Sequence, residues 1–557
     1  MNRAKKTIRY IVAVVAMVAM AGIFTFAGRD DFGLGRNMEL MVNMMRELST
    51  HYVDRLNPDE MMRNAADGMV SNLDPYTSYL SEEDMKEFEL ATTGKYGGIG
   101  SLIRKRGDYI VIAEPYKGSP ADRAGLKIGD KIVAIGKEDA KGFTTEQVSL
   151  RLKGDPNTNV KITVEGLIDG KRRNLSIKRE RIAIPGISYS GMLNDSVGYI
   201  RHADFTDGCY DDMRSAIERL RQSGELKALV LDYRNNGGGV LQEAVKIVSL
   251  FTPKGTEVVS TKGRVESENK TFRTELEPLL PEIPLVVLVN GHTASSSEIV
   301  AGALQDMDRA VVLGQKSFGK GLVQSSRPIG YDAYIKLTTA KYYIPSGRCI
   351  QNIDYSNHDS EAREVADSLI REFKTRNGRK VYDGGGIMPD VPIEAEYISR
   401  FALTLYAMGI IDEFGDEYMK RHHAESIDLN TFSISDEEYE RFVEFTKGRD
   451  VAYISETRHT LGQLKKALEA DRFDAQLATH IATIEQELKD DTESNLRTYR
   501  DEIVESLNSN IVMRYHYSEG AIKHSLGSDK EVKAAMELLA NPTEYRQILS
   551  SRDTRRK

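Results

Sequence analysis

The sequence predicts an α/β and α+β multidomain chain, and three observations lead there. Four apolar runs of four or five residues punctuate residues 190–395, namely Val197-Gly-Tyr-Ile200, Ala228-Leu-Val-Leu231, Leu285-Val-Val-Leu-Val289 and Ala310-Val-Val-Leu313. Runs of this kind suit strands buried on both faces, and helical patterns at 211–222, 239–251 and 296–307 alternate with them, which argues βα layering. Short strand-like stretches with glycine turns fill 94–181, and helical periodicity fills 36–92 and 396–557. At 557 residues the chain exceeds what one hydrophobic core supports.

The first segment, 1–28, reads as a signal peptide or an N-terminal membrane anchor. Arg3, Lys5, Lys6 and Arg9 precede an apolar run over 10–27 that ends at Gly28-Arg29-Asp30. Basic charge before an apolar stretch stays cytoplasmic and directs export of the chain beyond it. The expected location is therefore the periplasm or the extracytoplasmic face of the inner membrane, with membrane contact through this segment alone.

In the helical lead-in, Met38, Met41, Met45 and Leu48 recur at helical spacing and Asn57-Pro-Asp-Glu60 looks like a helix start. Leu73-Asp-Pro-Tyr-Thr-Ser-Tyr-Leu80 reads as a turn, and Ser81-Glu-Glu-Asp84 opens the next helix. In the small β domain, 109–112, 131–135 and 160–164 are strand-like, with short capped helices after Gly118 and Gly142. A charged insertion at 351–380 reads as helical over 361–374 before the glycine-rich return 382–390. In the tail, Leu461, Leu464 and Leu468, then Leu477, Ile481, Ile484 and Leu488, lie on helix faces.

Composition excludes several classes. A net charge of -8 leaves no footprint for nucleic acid, and two cysteines, Cys209 and Cys349, make no disulfide framework, although they suffice for one bridge or two inert thiols. The ten histidines are scattered without His-Glu-x-x-His, so neither a metal nor another cofactor is expected.

Chemistry concentrates in turns that come directly after buried strands. Ser295 stands between the run 285–289 and a helix, where free N–H groups and the positive end of the helix dipole gather. A serine there can attack a carbonyl while the Ser296 amide faces the developing oxyanion. Ser295-x-x-Glu298 is equally the pattern of a capping box, and Ser296 and Ser297 compete for the nucleophile's place. Lys320, in Phe318-Gly-Lys-Gly321, becomes a general base if its amine is desolvated. Serine and lysine together suffice for acyl transfer without histidine or metal. A phosphate loop is disfavoured, since Walker spacing is missing around Lys320. His292 reads as an exposed turn residue. Leu231-Asp-Tyr-Arg-Asn-Asn-Gly-Gly-Gly-Val240 can turn N–H groups inward as an oxyanion hole needs, or be a plain turn. Tyr96-Gly-Gly-Ile-Gly-Ser101 can form a nest for a chain-terminal carboxylate beside a strand edge, or a glycine hairpin.

In 68–75, 96–101, 118–130, 232–239, 289–306, 309–324 and 384–391, taken in order, the chain resembles the C-terminal processing peptidases, or tail-specific proteases, over roughly 36–395. The resemblance implies a crotonase/ClpP-like α/β serine protease core over 190–395, a PDZ domain over 94–181 inserted before it, and a helical C-terminal domain over 396–557. It implies Ser295 as nucleophile, Lys320 as base, Gln324 as the residue orienting the lysine, and the Ser296 amide with Gly238 or Gly239 as oxyanion donors. Gly98, Ile99 and Gly100 are implied at the carboxylate of a bound substrate tail. The family usually has alanine where Ser296 stands. The expected partners are proteins or peptides with free C-termini; the insertion and the tail are candidates for homo-oligomerisation or for docking an adaptor protein. Two rivals stand beside this reading: an inactive or autoinhibited PDZ scaffold, and a crotonase-type acyl-CoA enzyme, against which export and Lys320 argue.

Overall fold

The computed structural model describes residues 30–355, 363–365, 367–449, 451, 453, 455–488 and 491–550. They divide into two compact units: residues 30–81 with 325–338 and Tyr355, and residues 82–324 with 339–354 and the described residues from 363 onward. The segment 1–28, expected to be a signal peptide or membrane anchor, lies outside the described residues, and among these no helix is long and apolar enough to cross a membrane.

In the first unit the helices Asp30–His51 and Pro58–Val70 form as their patterns predict. Asn57 accepts the Asp59 amide at 3.0 Å and Pro58 takes the first helical position, where its missing N–H costs nothing. The stretch 73–80 is only partly a turn. Asp74 Oδ1 accepts the amides of Tyr76 and Thr77, after which Ser78–Leu80 pairs as a short strand with residues 334–336.

The second unit begins with the helix Glu82–Thr93 and the small β domain. Its main sheet runs in the order Ser101–Arg106, Tyr109–Pro115, Lys131–Ile135, Asn159–Glu165, Arg172–Lys178, all antiparallel. Period-2 alternation sends Ile110, Ile112, Ile132, Ile162 and Val164 into one core. Against it pack two short helices with the caps their sequences promised: Ser119 on Pro120–Arg123, and a Thr144/Gln147 capping box on Thr145–Leu152. Lys95–Gly98 pairs with Glu180–Ala183, so the domain's entry and exit lie side by side.

The core sheet has the order Ile187–Met192, Val197–His202, Ala228–Asp232, Leu285–Val289, Val311–Gly314, Val391–Pro392. The first pair is antiparallel and the rest parallel. The apolar runs are unbroken because both faces are covered. Leu229, Leu231, Leu285, Val287 and Val289 meet the helices Cys209–Ser223, Leu241–Ser249 and Ser296–Asp306. Val230, Val286, Leu288, Val311 and Leu313 meet Val532, Ala535, Leu538 and Tyr545. The second cover thus comes from the end of the helical tail, Lys530–Ala540 and Pro542–Ile548. The Tyr545 hydroxyl donates to the Leu285 carbonyl and accepts its amide, both at 2.9 Å.

The rest of the tail has a core of its own around Phe401, Phe414, Phe442, Leu507 and Ile511. The leucine-rich faces of Glu456–Ala470 and Asp474–Glu487 form a helix pair in which Leu461 and Ile481 are the buried positions among the described residues.

The helix expected over 361–374 does not form. Its described residues give the strands Arg363–Glu364 and Glu372–Lys374 and one 3-10 turn, Asp367–Leu369. Glu372–Lys374 pairs with Lys380–Tyr382 across a turn in which Gly378 has φ of 84°. Asn377-Gly378 is a strong hairpin signal, and it outweighs the helix propensity of the charged residues before it.

Candidate active site

Three turns meet at the C-terminal edge of the core sheet, each leaving a buried strand. The glycine turn leaves Ala228–Asp232, the serine turn leaves Leu285–Val289, and the lysine turn leaves Val311–Gly314. Backbone and amide hydrogen bonds knit them together. Ala294 N donates to Asn236 O at 3.0 Å, Asn235 N to Asn290 Oδ1 at 3.0 Å, and Phe318 N to Thr293 O at 2.9 Å. The return 384–387 packs beneath the lysine turn, where Ile387 N donates to Ser317 Oγ at 2.6 Å.

Ser295 sits at the start of Ser296–Asp306 with φ 56° and ψ -118°, not the extended conformation of an ordinary N-cap. A non-glycine residue at such angles costs energy, and a strained strand-to-helix turn is a known way of presenting a nucleophilic serine. The neighbouring serines are spent on structure. Ser296 Oγ donates to Gly239 O at 2.9 Å and Ser297 Oγ to Asn236 O at 3.0 Å, and both residues are buried. Ser295 is the one of the three that is not buried. His292 is exposed in its turn, with its amide on Asn290 Oδ1 at 3.1 Å.

Glu298 does far more than close a capping box. One carboxylate oxygen accepts Ser295 N at 2.8 Å and also Lys320 N at 2.9 Å; the other accepts Gly319 N at 2.7 Å and the Ser317 hydroxyl. On the carbonyl side, the buried Tyr342 hydroxyl reaches both Ser295 O, at 3.2 Å, and Lys320 O. The backbones of Ser295 and Lys320, 25 residues apart in sequence, are thereby held within two hydrogen-bond lengths of one another. Burial pushes the Glu298 carboxyl above its usual range, and the donors around it pull the other way. Lys320 and Gln324 are half-buried.

The glycine turn closes directly on Ser295. Gly238 has φ 94°, and a Cβ there would lie 2.7 Å from Ser295 Cβ and 2.8 Å from Ser296 N. Only glycine permits that approach. Of the two candidate donors in this turn, Gly238 has its amide engaged by Asn236 Oδ1 at 2.9 Å.

In the small β domain, Gly98 ends the strand Lys95–Gly98, and Ile99 and Gly100 form the loop linking it to the head of Ser101–Arg106. The loop's carbonyls turn inward: Ile99 O accepts Ala121 N at 2.8 Å, and Gly100 O accepts Ser119 Oγ at 2.7 Å. Ser101–Arg106 is an edge strand, with Thr145–Leu152 beside it. An extended peptide can add to such an edge with its carboxylate toward the loop.

Cys209 and Cys349 are free thiols, so no bridge forms between them. Among the described residues, no group of three or more His, Cys, Asp or Glu could hold a metal.

Fold and site define a serine-type α/β peptidase that carries a PDZ domain. Family models agree: "Peptidase family S41" matches 196–360, "PDZ domain" matches 111–166, and "Probable PDZ-protease, C-terminal helical domain" matches 401–539. The carboxy-terminal-processing protease of Bartonella bacilliformis is 36% identical over 314 residues, covering 56% of this chain and 72% of that one. A probable CtpA-like serine protease of Staphylococcus aureus is 34% identical over 345 residues, covering 61% and 68%. Among solved structures, the photosystem II D1 C-terminal processing protease is similar at 25% identity and a TM-score of 0.34, covering 64% of this chain and 87% of that chain. The chain belongs to the C-terminal processing peptidase family of serine proteases.

Proposed function

We propose that this protein is an endopeptidase that captures the C-terminal tail of a substrate on its PDZ domain and cleaves with Ser295 and Lys320 through an acyl-enzyme. The observation that carries the reading is the Glu298 carboxylate, shared by the Ser295 and Lys320 amides. With the Tyr342 hydroxyl on the two carbonyls, it supports a fixed pairing of the two residues.

In the first step the uncharged Lys320 amine takes the Ser295 hydroxyl proton as Oγ attacks the scissile carbonyl carbon. The negative charge moves to the carbonyl oxygen, facing the amides of Ser296 and Gly239. The lysine then returns its proton to the leaving nitrogen as the C–N bond breaks. Water, deprotonated by the same amine, hydrolyses the ester and regenerates the serine. Gln324, four residues beyond Lys320, orients the amine. On the PDZ domain the substrate carboxylate meets the amides of Gly98, Ile99 and Gly100, and the tail pairs with Ser101–Arg106. The basic-then-apolar N-terminus supports an exported location for the reaction, on the outer side of the inner membrane.

The test is turnover of a peptide with a free apolar C-terminus. Ser295→Ala and Lys320→Met are each expected to abolish hydrolysis while circular dichroism stays that of the parent. Undiminished turnover in either would refute the dyad.

A further inference from the structure

Arg234 lies in the glycine turn, two residues beyond the strand Ala228–Asp232, and its guanidinium is almost enclosed by carboxylates. On one side Asp232, itself buried and bonded by the Tyr199 hydroxyl at 2.6 Å, accepts Nε at 3.0 Å and Nη2 at 2.6 Å. On the other side Asp529, 295 residues away in sequence, accepts Nη1 at 3.1 Å and Nη2 at 2.7 Å. Glu531 adds a third carboxylate, 3.3 Å from Nη1. Burial works against the charge of Arg234, but Asp232 first, and then Asp529, raise its pKa. A fork-to-carboxylate pair of this geometry fixes orientation as well as distance.

Asp529 and Glu531 belong to the start of Lys530–Ala540, the helix that covers the second face of the core sheet. Asp529 caps that helix, accepting Val532 N at 2.9 Å. Glu531 also accepts Gln315 Nε2 at 2.9 Å, and Gln315 stands at the beginning of the lysine turn. One helix start in the tail therefore grips two of the three turns at the sheet edge. Beyond Arg234 the contacts continue toward the serine turn: Asn235 N is bonded to Asn290, Asn236 O accepts Ala294 N, and Gly238 lies so close that a Cβ on it would come within 2.7 Å of Ser295 Cβ.

We propose that Asp529, with Glu531, is a positioning residue for proteolysis: it holds Arg234, and through it the glycine turn, at the distance from Ser295 that oxyanion binding requires. The proposal rests on the dyad reading above. It gives the C-terminal helical domain a part in catalysis, since the core segment alone lacks this half of the Arg234 clamp.

The experiment compares Asp529→Asn, Glu531→Gln and Ser295→Ala in steady-state hydrolysis of one peptide by the full chain, with melting temperatures alongside. Asparagine caps helices as well as aspartate does, so Asp529→Asn keeps the cap and removes the charge that Arg234 needs. The expected result is kcat lowered about 100-fold with KM unchanged, the scale on which a misplaced catalytic group acts. Combining Asp529→Asn with Arg234→Gln should lower kcat no further than Arg234→Gln alone. Parental kcat in Asp529→Asn, or a change in KM only, overturns the proposal. If that variant does not fold, Glu531→Gln, which bears no cap, decides by the same criterion. Turnover surviving in Ser295→Ala would sink the dyad reading instead, so the two failures are distinguishable.

Discussion

Gly238 shows how little room the site leaves at the level of single residues. Any side chain there collides with Ser295 Cβ, Ser296 N and the Ala294 carbonyl at once, and φ 94° is strained for any L residue. Gly238→Ala should therefore push the glycine turn away from Ser295 and lower kcat by about 100-fold, the usual cost of losing one oxyanion donor. Steady-state kinetics checks it; retention of parental kcat would mean the turn has no part in the chemistry. Ser295 and Lys320 were legible in the sequence because each is a reactive residue in a turn directly after an apolar run. The reach of Glu298 was not. Its partners in the lysine turn are mainly backbone amides at Gly319 and Lys320, and an amide leaves no signature in a sequence. The spacing Ser295-x-x-Glu298 revealed only the local half of its work.

Among elements, the tail helices matter most. An apolar run buried on both faces calls for two covers, and the helices Cys209–Ser223, Leu241–Ser249 and Ser296–Asp306 supply only the first. The second is supplied by Lys530–Ala540 and Pro542–Ile548. Amphipathic periodicity tells that a helix has a face to bury but not which surface receives it, so this docking could not be read in advance. Its anchor is Tyr545, whose hydroxyl satisfies both the amide and the carbonyl of Leu285. Tyr545→Phe leaves both groups buried without that partner and should cost about 1–3 kcal/mol. Denaturant unfolding measures it; an unchanged midpoint would show that the contact is dispensable. The hairpin around Gly378 teaches the complementary lesson, because helix propensity in a charged stretch yields to a two-residue turn signal.

At the scale of the molecule's larger unit, the helical tail joins the PDZ domain to the core sheet. Arg104 and Arg106 of the PDZ edge strand meet Asp412 and Asp416 of the helix Ile410–His422, and the buried Arg514 completes the cluster at 2.7 Å from Asp416. Ser518 adds a bond to Glu114, one residue after the kink at Tyr517. The strands of the small β domain and of the core were readable from their sequence texture, whereas this joint was not, since its charges look like any solvated helix face. The acid response of the unit should be set in part by His202, packed between Phe205 and Tyr233. Burial lowers its pKa from 6.5 to about 3. The unfolded chain therefore takes up this proton first as pH falls, and the stability present above pH 6.5 is lost progressively toward pH 3. Near pH 5, midway between the two values, the loss from this one group approaches about 1.4 kcal/mol per pH unit. His202→Phe keeps the aromatic packing and should flatten the plot of unfolding free energy against pH by that slope; parallel plots would contradict it.

Adduct mapping with a fluorophosphonate probe addresses the central claim, a Ser295 nucleophile activated by Lys320, most directly. Peptide mass spectrometry of the labelled full chain should find the phosphonate on Ser295 and on no other serine, and Lys320→Met should lose the adduct while keeping its fold. An adduct on a different residue, or labelling of Ser295 at the parental rate without the lysine, would contradict the account.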